Sequence, residues 1–177
     1  MKRFIHTIAY CTAGLALLSA CSHVDLGAGP SATASLLPTQ GNQASGQVKF
    51  VSLGDRVRIS GEVRGLVPGK THGFHVHEKG DCSSGDGMST GGHFNPTGQA
   101  HGAHGQGAHH VGDLPSLTAD AQGVARFTYE TSTFAVANGA SDVVGRGLIV
   151  HRDPDDFKTQ PTGNSGPRIA CAVITRN

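Results

Sequence analysis

The strongest constraint on this chain is a run of two-residue alternation. Between Arg56 and Leu66, Val57, Ile59 and Val63 alternate with Arg56, Arg58, Ser60 and Arg64. Successive side chains of an extended strand leave opposite faces, so this period describes a strand with one buried face. Gln47 to Leu53 reads as its partner, and the intervening Gly54-Asp55 pair suits a hairpin turn. Further strand candidates are Thr71 to Glu78, Gly123 to Glu130, Gly147 to His151 and Ile169 to Thr175, separated by Gly/Pro/Asp-rich connections. With 26 Gly, 8 Pro and no Trp in 177 residues, the balance favours short strands over long helices. The expectation is one all-β domain with a modest core. Two connections, Lys79 to about Gly112 and Arg152 to Pro167, are long enough to carry function.

The amino terminus has a separate logic. Lys2 and Arg3 precede a largely apolar stretch, Phe4 to Ala20, too short and interrupted for a transmembrane helix, so residues 1–20 read as a secretory signal peptide. Leu18-Ser19-Ala20-Cys21 resembles a bacterial lipobox, in which the cysteine is acylated; an ordinary signal peptide cut near Ala20 is the alternative. Residues 21–45 are mostly small, polar or Pro/Gly and read as a lipid-anchored flexible tether, which leaves 46–177 as the folded domain. These features place the chain in the periplasm or cell envelope, in contact with a membrane through its N-terminal lipid. Ser22, rather than Asp, after Cys21 permits sorting to an outer membrane. A formal charge of +1 without a basic run argues against nucleic-acid binding.

Cys82 and Cys171 remain for the folded domain. In an oxidising compartment one bridge between them can persist, two buried free thiols being the alternative. Such a bridge closes an 89-residue loop and stabilises by roughly 4 to 5 kcal/mol on the chain-entropy picture.

The chain is rich in histidine, with eleven, and imidazole is the commonest metal ligand. His75 and His77, two apart on a strand, leave the same face and can converge on one metal. His93, His101 and His110 follow in a Gly-rich loop, with Asp113 three residues beyond, a nitrogen-plus-carboxylate donor set that suits zinc. His151 ends a later strand. His104 and His109 compete in sequence for the same roles, and a loosely metal-binding His/Gly tract is the bland reading of that loop.

The order of motifs separates these readings. Gly73-Phe74-His75-Val76-His77-Glu78, Gly92-His93-Phe94-Asn95-Pro96, His110-Val111-Gly112-Asp113-Leu114 and Gly163-Asn164-Ser165-Gly166-Pro167-Arg168-Ile169-Ala170-Cys171 resemble the copper/zinc superoxide dismutase family over roughly Gln47 to Ile174. The resemblance implies an antiparallel Greek-key β-barrel or sandwich and a copper ion held by His75, His77, His93 and His151. It also implies a zinc ion held by His93, His101, His110 and Asp113, so that His93 bridges the metals. Arg168 matches the family's active-site arginine, Cys82 and Cys171 its disulfide, and Asp155 a carboxylate that links ligands of the two metals.

The implied activity is conversion of two superoxide anions and two protons to dioxygen and hydrogen peroxide, protecting the envelope, with Arg168 attracting the anion and His93 carrying a proton. A homodimer is compatible with the resemblance and not required by it. A copper-binding or copper-delivery module on the same fold is the competing class, and the filled ligand positions argue against it. Two departures stand out. Only seventeen positions separate His151 from Arg168, fewer than in the familiar eukaryotic enzymes, and Pro167 stands where a small residue usually precedes the arginine.

Overall fold

A computed structural model gives the conformation of residues 29–177; the expected signal peptide and Cys21 lie outside the described residues. The strands are β1 (Ser31–Pro38), β2 (Ser45–Ser52), β3 (Val57–Arg64), β4 (Thr71–His72), β5 (Phe74–His77), β6 (Leu117–Thr118), β7 (Ala125–Thr131), β8 (Gly147–His151) and β9 (Arg168–Arg176). The only helical element among the described residues is a 3-10 turn at Met88–Thr90.

Seven strands join in the order β5-β8-β9-β1-β2-β3-β7, and β4 pairs with β6. Every ladder is antiparallel. The C-terminal strand returns to lie beside the first, the long-range closure of a Greek key. The sheet curls until its ends face each other: Phe74 of β5 meets Phe127 of β7 edge-on, with ring centroids 5.5 Å apart. The all-β Greek-key expectation is met.

Alternation does what the sequence predicts in β3. Val57, Ile59 and Val63 are buried, while Arg58 and Arg64 are exposed. Across the outer face Arg58 pairs with Glu130 at 2.8 Å and Arg126 with Glu62 at 2.7 Å; such exposed pairs contribute about 0–1 kcal/mol each. The stability resides inside, where Val48, Phe50, Phe74, Leu148 and Ile174 are completely buried, each worth about 1.5–3 kcal/mol.

The tether expected over 21–45 fails from Ser31 onward. β1 is a central strand, pairing Ala34 with Val48 of β2 on one side and with Ile174 of β9 on the other. Ala32, Ala34 and Leu36 are buried. The folded unit therefore includes Ser31–Pro38 rather than starting at residue 46. Ala32, Ala34 and Leu36 alternate with Ser31, Thr33 and Ser35 along β1, but side chains as small as Ala and Ser give little hydrophobic contrast, so composition misled.

Candidate metal centre

The two outermost strands of one sheet end position the histidines. On β5, Phe74 and Val76 join the core, so His75 and His77 must point to the opposite face. On β8, Leu148 and Val150 join the core and His151 follows with opposite parity. This outer face is fully buried because the two long connections fold over it. The first is laced to Val76: Val76 N–H donates to Gly112, Phe94 N–H to Val76 and Gly112 N–H to Phe94, each at 2.8 Å. That lacing brings His93 beside His77 and Asp113 beside His75.

Two buried groups result. One contains His75, His77, His93 and His151, the other His93, His101, His110 and Asp113, and within each group the donor atoms lie within 4.8 Å of one another. His93 belongs to both. Its Nδ1 faces Asp113 Oδ1 at 2.8 Å, and its Nε2 is buried without a hydrogen-bond partner. The atoms His75 Nδ1, His77 Nε2 and His151 Nε2 are likewise buried and unpartnered. Leaving one such group unsatisfied costs about 1–3 kcal/mol, so four that converge fit a cation. In the other group His93, His101 and His110 present Nδ1 to one oxygen, Asp113 Oδ1, at 2.8, 3.0 and 3.4 Å. Tetrahedral zinc with bonds of about 2.0–2.1 Å has ligand–ligand edges of about 3.3 Å, close to these three nitrogen–carboxylate distances.

Four of the rings are oriented from behind. His77 Nδ1–H donates to the Gly91 carbonyl at 2.9 Å and His151 Nδ1–H to that of Gly166 at 3.0 Å. A carbonyl only accepts, so both rings keep their lone pair on Nε2. Asp155 accepts from His75 Nε2 at 2.7 Å and from His101 Nε2 at 2.9 Å, spanning the two groups. Asp113 Oδ2 is anchored by the N–H groups of Gly102 (3.1 Å) and His110 (2.8 Å), which leaves Oδ1 for the site.

Electrostatics divide the rings. Burial pushes His75 down to about 4 and His151 to about 3, and holds His77 well below its ordinary value, with the neighbouring rings and Arg168 adding to the effect. These imidazoles are neutral at pH 7 and ready to bind metal. Burial also disfavours the charged form of His101, but hydrogen bonds to Asp113 and Asp155 outweigh it and raise the group to about 9. Burial opposes ionisation of the two carboxylates, yet their histidine partners hold both well below the usual range.

Arg168 opens β9 and is half-buried. Its guanidinium donates to Gly87 O (2.6 Å), Thr90 Oγ1 (2.8 Å) and Gly91 O (2.7 Å). The Gly91 carbonyl thus receives both Arg168 and His77. A disulfide joins Cys82 to Cys171 and ties this loop to β9. His104 and His109 enter neither group; their Nδ1 atoms bond the carbonyls of Asp113 and His110.

Sequence reasoning missed Gln160. Its side chain accepts from His101 N–H at 2.8 Å and donates to His101 O at 2.9 Å, clamping one long connection to the other. It also missed Thr90 and the carbonyls of Gly91 and Gly166. No signal marks a main-chain acceptor, and a lone Gln is too common to be one.

An antiparallel β-barrel whose outer face carries a four-nitrogen group and a three-nitrogen, one-oxygen group sharing one imidazole defines a binuclear metalloprotein. Residues 44–174 match the family copper/zinc superoxide dismutase (SODC). The chain is similar to a superoxide dismutase [Cu-Zn] of Paramecium bursaria Chlorella virus 1, 42% identical over 135 residues that span 73% of this chain and 71% of the relative. It also resembles the clock protein EA4, known from a crystal structure, with a TM-score of 0.74 and 35% identity over 82% of this chain and 93% of that one. The chain belongs to the copper/zinc superoxide dismutase family. It is an oxidoreductase of that family, whose cofactors are copper and zinc.

Proposed function

We propose that this protein dismutates superoxide at the cell envelope, with copper in the four-histidine group (His75, His77, His93, His151) and zinc in the His93, His101, His110 and Asp113 group. The observation that carries the reading is the position of His93, one ring in both donor sets with Nδ1 on one side and Nε2 on the other. Nitrogen-only ligation suits copper, and a mixed nitrogen and carboxylate set suits zinc. Bound copper supplies the one-electron exchange that oxidises one superoxide to dioxygen and reduces a second, with two protons, to hydrogen peroxide; bound zinc supplies a fixed positive charge.

The chain's own residues do the rest. His93 holds and releases a proton at Nε2, the nitrogen that faces the four-histidine group. Asp155 orients His75 and His101 together. Arg168, permanently cationic, attracts the anion, and its bonds to Gly87, Thr90 and Gly91 keep the guanidinium beside His77 rather than in bulk water.

The envelope location rests on the N-terminal signal and on Cys21, read as the acylated residue. Metal analysis paired with a superoxide dismutation assay on the mature protein tests the chemistry: bound copper and zinc without dismutation would leave a binding module instead. Release from membranes by detergent but not by salt, with acyl mass on Cys21, is the expected outcome for the anchor. Solubility in a salt wash with an unmodified Cys21 would remove it.

A further inference from the structure

We propose that His104 and His109 form a third, solvent-facing site for a borderline divalent transition cation, separate from the two buried groups. The two rings lie in the Gly-rich connection between β5 and β6, with centroids 5.3 Å apart. The main chain prepares both in the same way: His104 Nδ1–H donates to the Asp113 carbonyl at 2.8 Å, and His109 Nδ1–H to the His110 carbonyl at 2.9 Å. Since a carbonyl accepts only, the neutral rings carry their lone pairs on Nε2. An imidazole whose N–H is held by a carbonyl and whose opposite nitrogen is open is the usual form of a metal ligand. Neither Nε2 is among the buried unpartnered atoms, and neither is hydrogen-bonded among the described residues, so both open to water.

The surroundings favour a shared cation. Tyr129 packs edge-on to His104 with centroids 6.0 Å apart and limits its swing. Gly105 and Gly107, both at positive φ, turn the intervening loop back so that His104 and His109 lie side by side. Two neutral imidazoles completed by water suit Ni(II), Cu(II) or Zn(II); Mg(II) and Ca(II), which require oxygen ligands, are excluded. The site does not depend on which metals the buried groups hold.

Equilibrium dialysis of the copper- and zinc-loaded protein against Ni(II) tests this. One nickel per chain is expected beyond the resident metals. His104→Gln and His109→Gln should each weaken it by about tenfold or more, with copper and zinc content and the dismutation rate unchanged. On the unaltered chain, nickel should also protect both histidines from diethyl pyrocarbonate. Equal nickel binding by the native protein and the double variant would overturn the site. So would the absence of extra nickel, or modification of both residues at the unprotected rate.

Discussion

Asp155→Asn replaces a carboxylate that accepts three hydrogen bonds with an amide that accepts at one atom. In the native protein Asp155 Oδ2 takes His75 Nε2–H at 2.7 Å, while Oδ1 takes His101 Nε2–H at 2.9 Å and Phe157 N–H at 2.7 Å. Whichever way the amide turns, its NH2 confronts at least one N–H donor where the side chain is only 1% exposed. Leaving a buried donor unpaired costs about 1–3 kcal/mol, and loss of the partner that orients a ligand lowers metal affinity about 10–100-fold. No relief is available by shifting sideways. Gly163, at φ +67, packs so closely on Asp155 Oδ1 that a Cβ there would overlap it. The variant also removes a charge that raises His101, so in metal-free protein that ring should titrate below about 9. Chelator competition gives the zinc and copper affinities, and NMR gives the His101 titration. If both affinities stayed within about twofold of native and His101 did not move, the linking role of Asp155 would be wrong.

Arg168→Ala removes all three hydrogen bonds that hold the guanidinium, and the dismutation rate should fall about tenfold or more with a flatter salt dependence; an unchanged rate and salt profile would refute guidance by this residue. Replacing both Cys82 and Cys171 by Ser opens an 89-residue loop and should cost up to roughly 4 to 5 kcal/mol, read as a lower urea midpoint. A chain that begins at Ala44 lacks β1, exposes the edges of β2 and β9, and should give no cooperative unfolding transition; a native-like melt would contradict the placement of β1. In metal-free protein the lowered values of His75 (about 4) and His151 (about 3) mean that their contribution to stability is intact above about 6.5 and is lost as pH falls toward 3. His101, raised to about 9, has the opposite sign: its contribution is present below about 6.5 and is lost as pH rises through 9. Denaturation midpoints across this range should therefore fall at both ends, and a monotonic profile would count against these assignments.

The division between what could be read in the chain and what could not follows the physics of each signal. Alternation of Val57, Ile59 and Val63 with charged neighbours determined a one-sided strand, because the side-chain period of two is a property of extended backbone. The spacing of His75 and His77 determined a shared face for the same reason, and the ordered motifs carried the family. Composition failed at Ser31–Pro38, where the alternation of Ala32, Ala34 and Leu36 with Ser31, Thr33 and Ser35 is built from small side chains whose hydrophobic contrast is weak. It was equally silent about which of His101, His104 and His109 turn inward. That choice was made by the fold. The lacing of Phe94 and Gly112 onto Val76 carries His93 and His110 inward, Gln160 clamps the backbone of His101, and the carbonyls of Asp113 and His110 hold His104 and His109 aside. Sequence determined which donor atoms exist and which strand faces they leave; only tertiary structure decided which of them meet, because convergence is set by backbone hydrogen bonds between segments far apart in the chain.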